Sequence, residues 1–195
     1  MDAEQHKTSL AVWDVASPVV LSGRATMKVG VKCSAGCELS NHEVELRDEN
    51  DNVNARALLG TQTWPGTAGL YWTEIDFLAP STTGTHQLRV TCAHGDARLD
   101  ITCITVPRPE CSLTIQIREE GTCATVGDVD VRLGVYRAST DPQGQAKIEV
   151  PKGSYSLTAW KMGYELVTTE VVISETHTLD VVLVKEVQAT QPYWM

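Results

Sequence analysis

Phenylalanine is nearly absent: Phe77 stands alone beside five tryptophans and five tyrosines. Aromatic bulk is therefore carried by side chains with a polar tip, which suit half-buried and contact positions. No apolar run approaches the roughly 20 residues of a membrane-spanning helix, so membrane insertion is not expected. Basic residues are also scarce, 16 against 25 acids, giving a net charge of −9. The deficit is even, with 13 acids and 8 bases over residues 1–107 and 12 and 8 over residues 108–195. Without a basic arm or patch, no nucleic-acid partner is expected. The opening Met1-Asp2-Ala3-Glu4-Gln5-His6-Lys7 lacks the basic and apolar regions of a secretory signal, which points to the cytoplasm. A secreted or periplasmic location stays open if a leader was removed. Nucleophile elbows, phosphate-cradling glycine loops and cofactor fingerprints are missing, so no enzyme activity, catalytic residue or cofactor is expected.

What the sequence does contain is strand pattern. At 195 residues it suits two domains of about 100 residues each. Over residues 8–107, short runs alternate apolar and polar side chains: Met27, Val29, Val31 and Cys33; Val44 and Leu46; Ile75 and Phe77; Leu88, Val90 and Cys92; Leu99 and Ile101. About seven such strands, with no sustained helical period, predict a β-sandwich. Val106-Pro107-Arg108-Pro109-Glu110 reads as a short, stiff linker, because two prolines hold the backbone extended. Beyond it, Leu113, Ile115 and Ile117, then Val129, Val131, Leu133 and Val135, supply the inward faces of a second sandwich. The fold class is therefore all-β, with two tandem antiparallel β-sandwiches.

The most distinctive stretch is Thr140 to Tyr164. A turn at Thr140-Asp141-Pro142-Gln143-Gly144 leads to a strand with Ala146, Ile148 and Val150 on one face. Pro151-Lys152-Gly153 hands over to a strand with Tyr155, Leu157 and Ala159 inward, and Lys161-Met162-Gly163-Tyr164 closes the stretch. The alternation predicts an antiparallel hairpin with Tyr155 buried in the second core. The pattern T-D-x-x-G-x-A, P-x-G-x-Y-x-L and K-x-G-Y resembles the carboxypeptidase regulatory-like, transthyretin-like sandwich. That resemblance implies a non-catalytic accessory domain. Transthyretin-like hydrolases of hydroxyisourate end in a Tyr-Arg-Gly-Ser motif. Here the last strand ends Val182-Leu183-Val184-Lys185, and Tyr136-Arg137-Ala138-Ser139 lies mid-domain. In the first half, Phe77-Leu78-Ala79-Pro80 and Gly84-Thr85-His86-Gln87-Leu88-Arg89-Val90 resemble the late strands of bacterial immunoglobulin-like and fibronectin-like domains. His86 falls at the position of their corner tyrosine. The expected division is 1–107 immunoglobulin-like, 108–187 carboxypeptidase regulatory-like, and 188–195 a C-terminal tail.

Two groups of residues carry candidate chemistry. Cys33, Cys37, Cys92 and His94, with His42 nearby in sequence, are expected at one end of the first sandwich. Three readings compete: a metal site with thiolate and imidazole ligands, a disulfide from Cys92 to Cys33 or Cys37, or buried thiols acting as small apolar side chains. The expectation is no metal, with Cys33 and Cys92 close together and reduced. The second group is aromatic: Trp64, Tyr71 and Trp72 around a Pro-Gly turn, outward-facing Trp160, and Trp194 in the tail. Tryptophan and tyrosine concentrate at binding hot spots, so these five are the expected partner-binding residues, with a protein or a carbohydrate as the partner. Asp48-Glu49-Asn50-Asp51-Asn52 reads as a turn, because it lacks the glycine and distal glutamate of a calcium loop.

Overall fold

Among residues 7–186, those described in this computed structural model, the alternating runs form fifteen strands. The chain divides into two compact units, Met1–Pro107 and Arg108–Met195. No helix among the described residues is long and apolar enough to cross a membrane.

The strands of the first unit are β1 (Thr8–Trp13), β2 (Val19–Val20), β3 (Arg24–Cys33), β4 (Glu43–Arg47), β5 (Val53–Leu58), β6 (Tyr71–Leu78), β7 (Gly84–Cys92) and β8 (Ala97–Val106). One sheet runs β1-β3-β6 and the other β2-β8-β7-β4-β5. The chain leaves the first sheet after β1 and joins the second through β2, which lies parallel to β8. The other pairings are antiparallel, and the arrangement is immunoglobulin-like. Met27, Val29, Val31, Val44, Leu46, Ile75, Phe77, Leu88 and Val90 fill the space between the sheets. Full burial of such a side chain contributes about 1.5–3 kcal/mol. His86 sits where these sandwiches place a tyrosine and does comparable work, with its Nε2 2.9 Å from the Thr82 carbonyl. The Asp48–Asn52 segment is a turn in which Asp48 Oδ1 accepts from the Asn50 and Asn52 amides.

The second unit comprises β9 (Cys111–Glu119), β10 (Asp130–Leu133), β11 (Tyr136–Ser139), β12 (Gln145–Val150), β13 (Gly153–Trp160), β14 (Val167–Ile173) and β15 (His177–Leu183). Its sheets run β11-β10-β13-β14 and β12-β9-β15, antiparallel except for β9 with β15. The expected hairpin does not form. β12 pairs with β9, β13 pairs with β10 and β14, and the chain arches from one sheet to the other through buried Pro151. Both strands still turn alternate residues into one core, so the alternation is the same for an arch as for a hairpin. Two smaller expectations also change. Tyr155 is half-buried, because its hydroxyl donates to the Pro151 carbonyl at 2.8 Å instead of entering the core. Val135 follows the turn at Gly134 and is 45% exposed.

The turn between β11 and β12, where the chain also passes from one sheet to the other, is held by hydrogen bonds. Buried Thr140 donates to the Val126 carbonyl at 2.9 Å and accepts from the Val129 amide at 3.0 Å. Asp141 Oδ1 accepts from the Gln143 and Gln145 amides, 2.9 Å each. Gly144 has φ +74°, and a Cβ there would come within 2.6 Å of the Ile117 carbonyl oxygen, which excludes other residues. Tyr164 donates to Glu119 at 2.8 Å, and Lys185 pairs with the same carboxylate at 2.7 Å.

Candidate functional site

β3 and β7 belong to opposite sheets of the first unit and both end on a buried cysteine, Cys33 and Cys92. After Cys33 the chain turns at once. The Gly36 amide donates to the Cys33 carbonyl at 3.1 Å, with Gly36 at φ +70°, a conformation that favours glycine. This turn folds Cys37 back so that its sulfur lies 3.1 Å from the Cys33 sulfur, sharing a hydrogen bond. A disulfide requires about 2.05 Å, so the sulfurs touch without being bonded. After Cys92, a single 3₁₀ turn, His94–Asp96, brings the His94 ring to the same place. The ligand atoms of Cys33, Cys37 and His94 all lie within 4.8 Å of one another. Cys92 is not part of this set; the sulfur in contact with that of Cys33 belongs to Cys37. His42 stands edge-to-face against His94, ring centroids 5.4 Å apart.

The environment separates these thiols. The hydrogen bond from Cys37 lowers the Cys33 pKa to about 6, against the opposing effect of burial and with help from His94. Cys37 is shifted upward, chiefly by the same hydrogen bond. Burial pushes the Cys92 and Cys103 thiols up, so both stay protonated and behave as small apolar side chains. Of the pair, Cys33 therefore gives up its proton more readily, and it does so beside an imidazole.

A different feature lies on the outer face of the β1-β3-β6 sheet. Trp13 and Trp72 flank Gly30, whose neighbours across the ladder are Ala11 and Trp72. A Cβ at Gly30 would meet the Trp13 ring at 2.9 Å, so the indole lies flush on bare backbone. Trp64 comes from the β5–β6 loop and completes the group. Its ring stands edge-to-face to Trp13 at 4.9 Å and to Trp72 at 5.0 Å. The loop is folded tightly: the Trp64 amide donates to the Leu70 carbonyl at 2.8 Å, and the Thr67 amide donates back to the Trp64 carbonyl at 3.1 Å. Lys28 reaches over the Trp64 ring, 5.6 Å from its centroid, and pairs with Asp14 at 2.6 Å. That partner raises the Lys28 pKa and keeps a cation at the rim of the aromatic face.

Of the five aromatic residues singled out from the sequence, the structure brings together Trp64 and Trp72. Tyr71 lies on the opposite face of β6, packs against the core and hydrogen-bonds Glu38. Trp160 belongs to the second unit and is 51% exposed beside Leu166 and Arg132. Trp194 lies outside the described residues, as does the rest of the 188–195 tail. Sequence reasoning missed Trp13 and Lys28 as members of the aromatic face. Their signal was alternation: Trp13 follows inward-packing Val12, and Lys28 lies between buried Met27 and Val29, so both point outward. A charged concavity of about 390 Å³ on the outer face of β4, β7 and β8 is occupied by its own ion pairs, Arg47 and Arg56 with Glu45, and Arg89 with Asp100.

No protein-family model matches the chain, and no curated protein sequence matches it. Solved structures give remote likenesses. The Bacillus anthracis TIE protein is 12% identical over 92% of this chain and 41% of its own, with a TM-score of 0.32. The major pilin subunit BcpA of Bacillus cereus is 10% identical over 91% and 70%, with a TM-score of 0.34. Domains 5–6 of the S-layer protein SbsC are 12% identical over 87% and 99%, with a TM-score of 0.35. This chain thus spans less than half the length of the first of these. At such values the likenesses establish neither a family nor a function.

Proposed function

We propose that this chain is a non-catalytic binding protein of two β-sandwich modules that recognises a protein partner through the Trp13–Trp64–Trp72 face of the first module. The observation that carries this reading is the three-indole cluster itself. It sits outside the core, on the outer face of a sheet, with a folded loop and the Lys28 cation at its edge. Indoles offer large contact area with few rotors, which is the composition of a binding hot spot. By its Thr140–Tyr164 pattern, the second module is a carboxypeptidase regulatory-like accessory domain. Its Thr140 and Asp141 side chains hold the turn between β11 and β12, which supports a structural role for them.

The test compares native pull-downs with the full chain, Trp64→Ala and Trp160→Ala, after circular dichroism has shown all three folded. A partner retained by the full chain and by Trp160→Ala but lost with Trp64→Ala supports the reading. Equal capture by Trp64→Ala overturns the assigned face. A glycan array probed with the same three proteins separates the partner classes, and Trp64-dependent glycan binding would replace a protein partner with a carbohydrate.

A further inference from the structure

We propose that Cys33, Cys37 and His94 form a zinc site at the end of the first sandwich, with His42 holding the His94 ring in place. The donor set comes from two segments far apart in sequence: the end of β3 and the turn after it supply the two sulfurs, and the 3₁₀ turn after β7 supplies the imidazole. Their ligand atoms lie within 4.8 Å of one another, so a single ion can touch all three. Two sulfurs and an imidazole nitrogen suit zinc and exclude calcium and magnesium, which take oxygen ligands. Zinc–sulfur bonds of about 2.3 Å in a tetrahedron place two sulfurs about 3.8 Å apart. The observed 3.1 Å therefore has to widen slightly. The Cys37 turn allows this, because Cys37 is half-buried on a loop and nothing lies within 4 Å of the Gly36 Cβ position.

Three protein ligands leave the fourth position for water, the pattern of open zinc sites. Uptake of the ion releases the remaining thiol protons to solvent. His42 packs edge-to-face on His94, and its Nδ1 lies 3.4 Å from the Ser40 carbonyl. That contact fixes the wall against which the liganding ring rests, which makes His42 a positioning residue.

The test uses the reduced full chain and cobalt(II) as a spectroscopic stand-in, followed by zinc. One equivalent of cobalt should produce thiolate charge-transfer absorption with tetrahedral visible bands, and one equivalent of zinc should bleach them. Cys37→Ser should abolish the charge-transfer absorption, while Cys92→Ser and Cys123→Ser leave it intact. Cys33→Ser should do the same as Cys37→Ser. Cys33 is buried, so Cys37→Ser is the deciding variant, provided its circular dichroism is unchanged. His42→Ala should keep the spectrum and weaken binding by about 10- to 100-fold, the usual effect of an outer-shell residue. Absence of charge-transfer absorption from the reduced protein, or its survival in folded Cys37→Ser, overturns the site. An unchanged affinity in His42→Ala overturns the positioning role.

Discussion

Tyr155 of the second unit and Trp64 of the first are both half-buried aromatic side chains in edge-to-face contact with other rings, yet their surroundings differ. Tyr155 meets Tyr136 at 6.1 Å and ties its hydroxyl to the Pro151 carbonyl, at the point where the chain changes sheets. Trp64 meets two other indoles on the outside of a sheet and rests on a loop. Elsewhere in the same stretch, the Thr140 and Asp141 side chains close the turn between β11 and β12 by hydrogen bonds. Around Trp64 the polar neighbour is Lys28, at the rim. The comparison teaches that the stretch easiest to recognise by pattern, Thr140–Tyr164, is occupied in holding the fold. The stretches with surface to offer carry strand alternation but no recognisable motif.

The largest effect should come from Tyr155→Ala, which removes the ring and hydroxyl that brace the arch. A loss of about 3 kcal/mol is expected, at the low end for an aromatic truncation because the ring is only half-buried. Calorimetry should show one of two transitions lowered, with the other unmoved. An unchanged profile would mean that the arch does not depend on this residue. Next comes Thr140→Val, which leaves the Val129 amide and Val126 carbonyl without their buried partner, at about 1–3 kcal/mol. Chemical denaturation of the second unit would detect it.

Gly30→Val tests the other half of the comparison. The added side chain must displace Trp13, so near-ultraviolet circular dichroism of the indole cluster should collapse. Overpacking should cost about 1–3 kcal/mol in the first unit. Trp64→Ala should cost about 1 kcal/mol, since it forfeits two edge-to-face contacts but little core. If Trp64→Ala proved as damaging as Tyr155→Ala, the cluster would be a second core, and the proposed binding face would fail with it.

The smallest expected effect depends on pH. Lys185, then Tyr164 and Thr122, hold the Glu119 carboxyl below the ordinary glutamate range by hydrogen bonding. A lowered folded pKa means stability that is present above the unfolded value of about 4.3 and lost as pH falls through the folded value. Thermal melts of the second unit from pH 7 to pH 3 should therefore converge with those of Glu119→Gln in acid. A constant gap between the two across that range would mean the carboxylate charge contributes nothing.

Much of the fold was legible because a half-buried strand repeats every two residues. Met27-Val29-Val31, Leu88-Val90 and Ile148-Val150 show their inward faces directly in the sequence, and all are buried. The partners of those strands were less legible. The same alternation serves a hairpin or an arch, and only the ladders β12–β9 and β13–β10 show that Gln145–Trp160 crosses between sheets. At the cysteine site, the burial of Cys33 followed from its place after Val29 and Val31. Its sulfur neighbour depended on the left-handed turn at Gly36, which favours Cys37 over Cys92.

By itself, then, the sequence determined the all-β class, the inward faces and the turn chemistry of Thr140–Gly144, because these depend on neighbours within a few residues. Only the tertiary structure decided that Trp13 lies on Gly30 beside Trp64, and that His94 meets Cys33 and Cys37. Trp13 with Trp64, and His94 with the two cysteines, join positions more than 50 residues apart, and all these meetings arise from sheet register and loop closure, which no local period encodes.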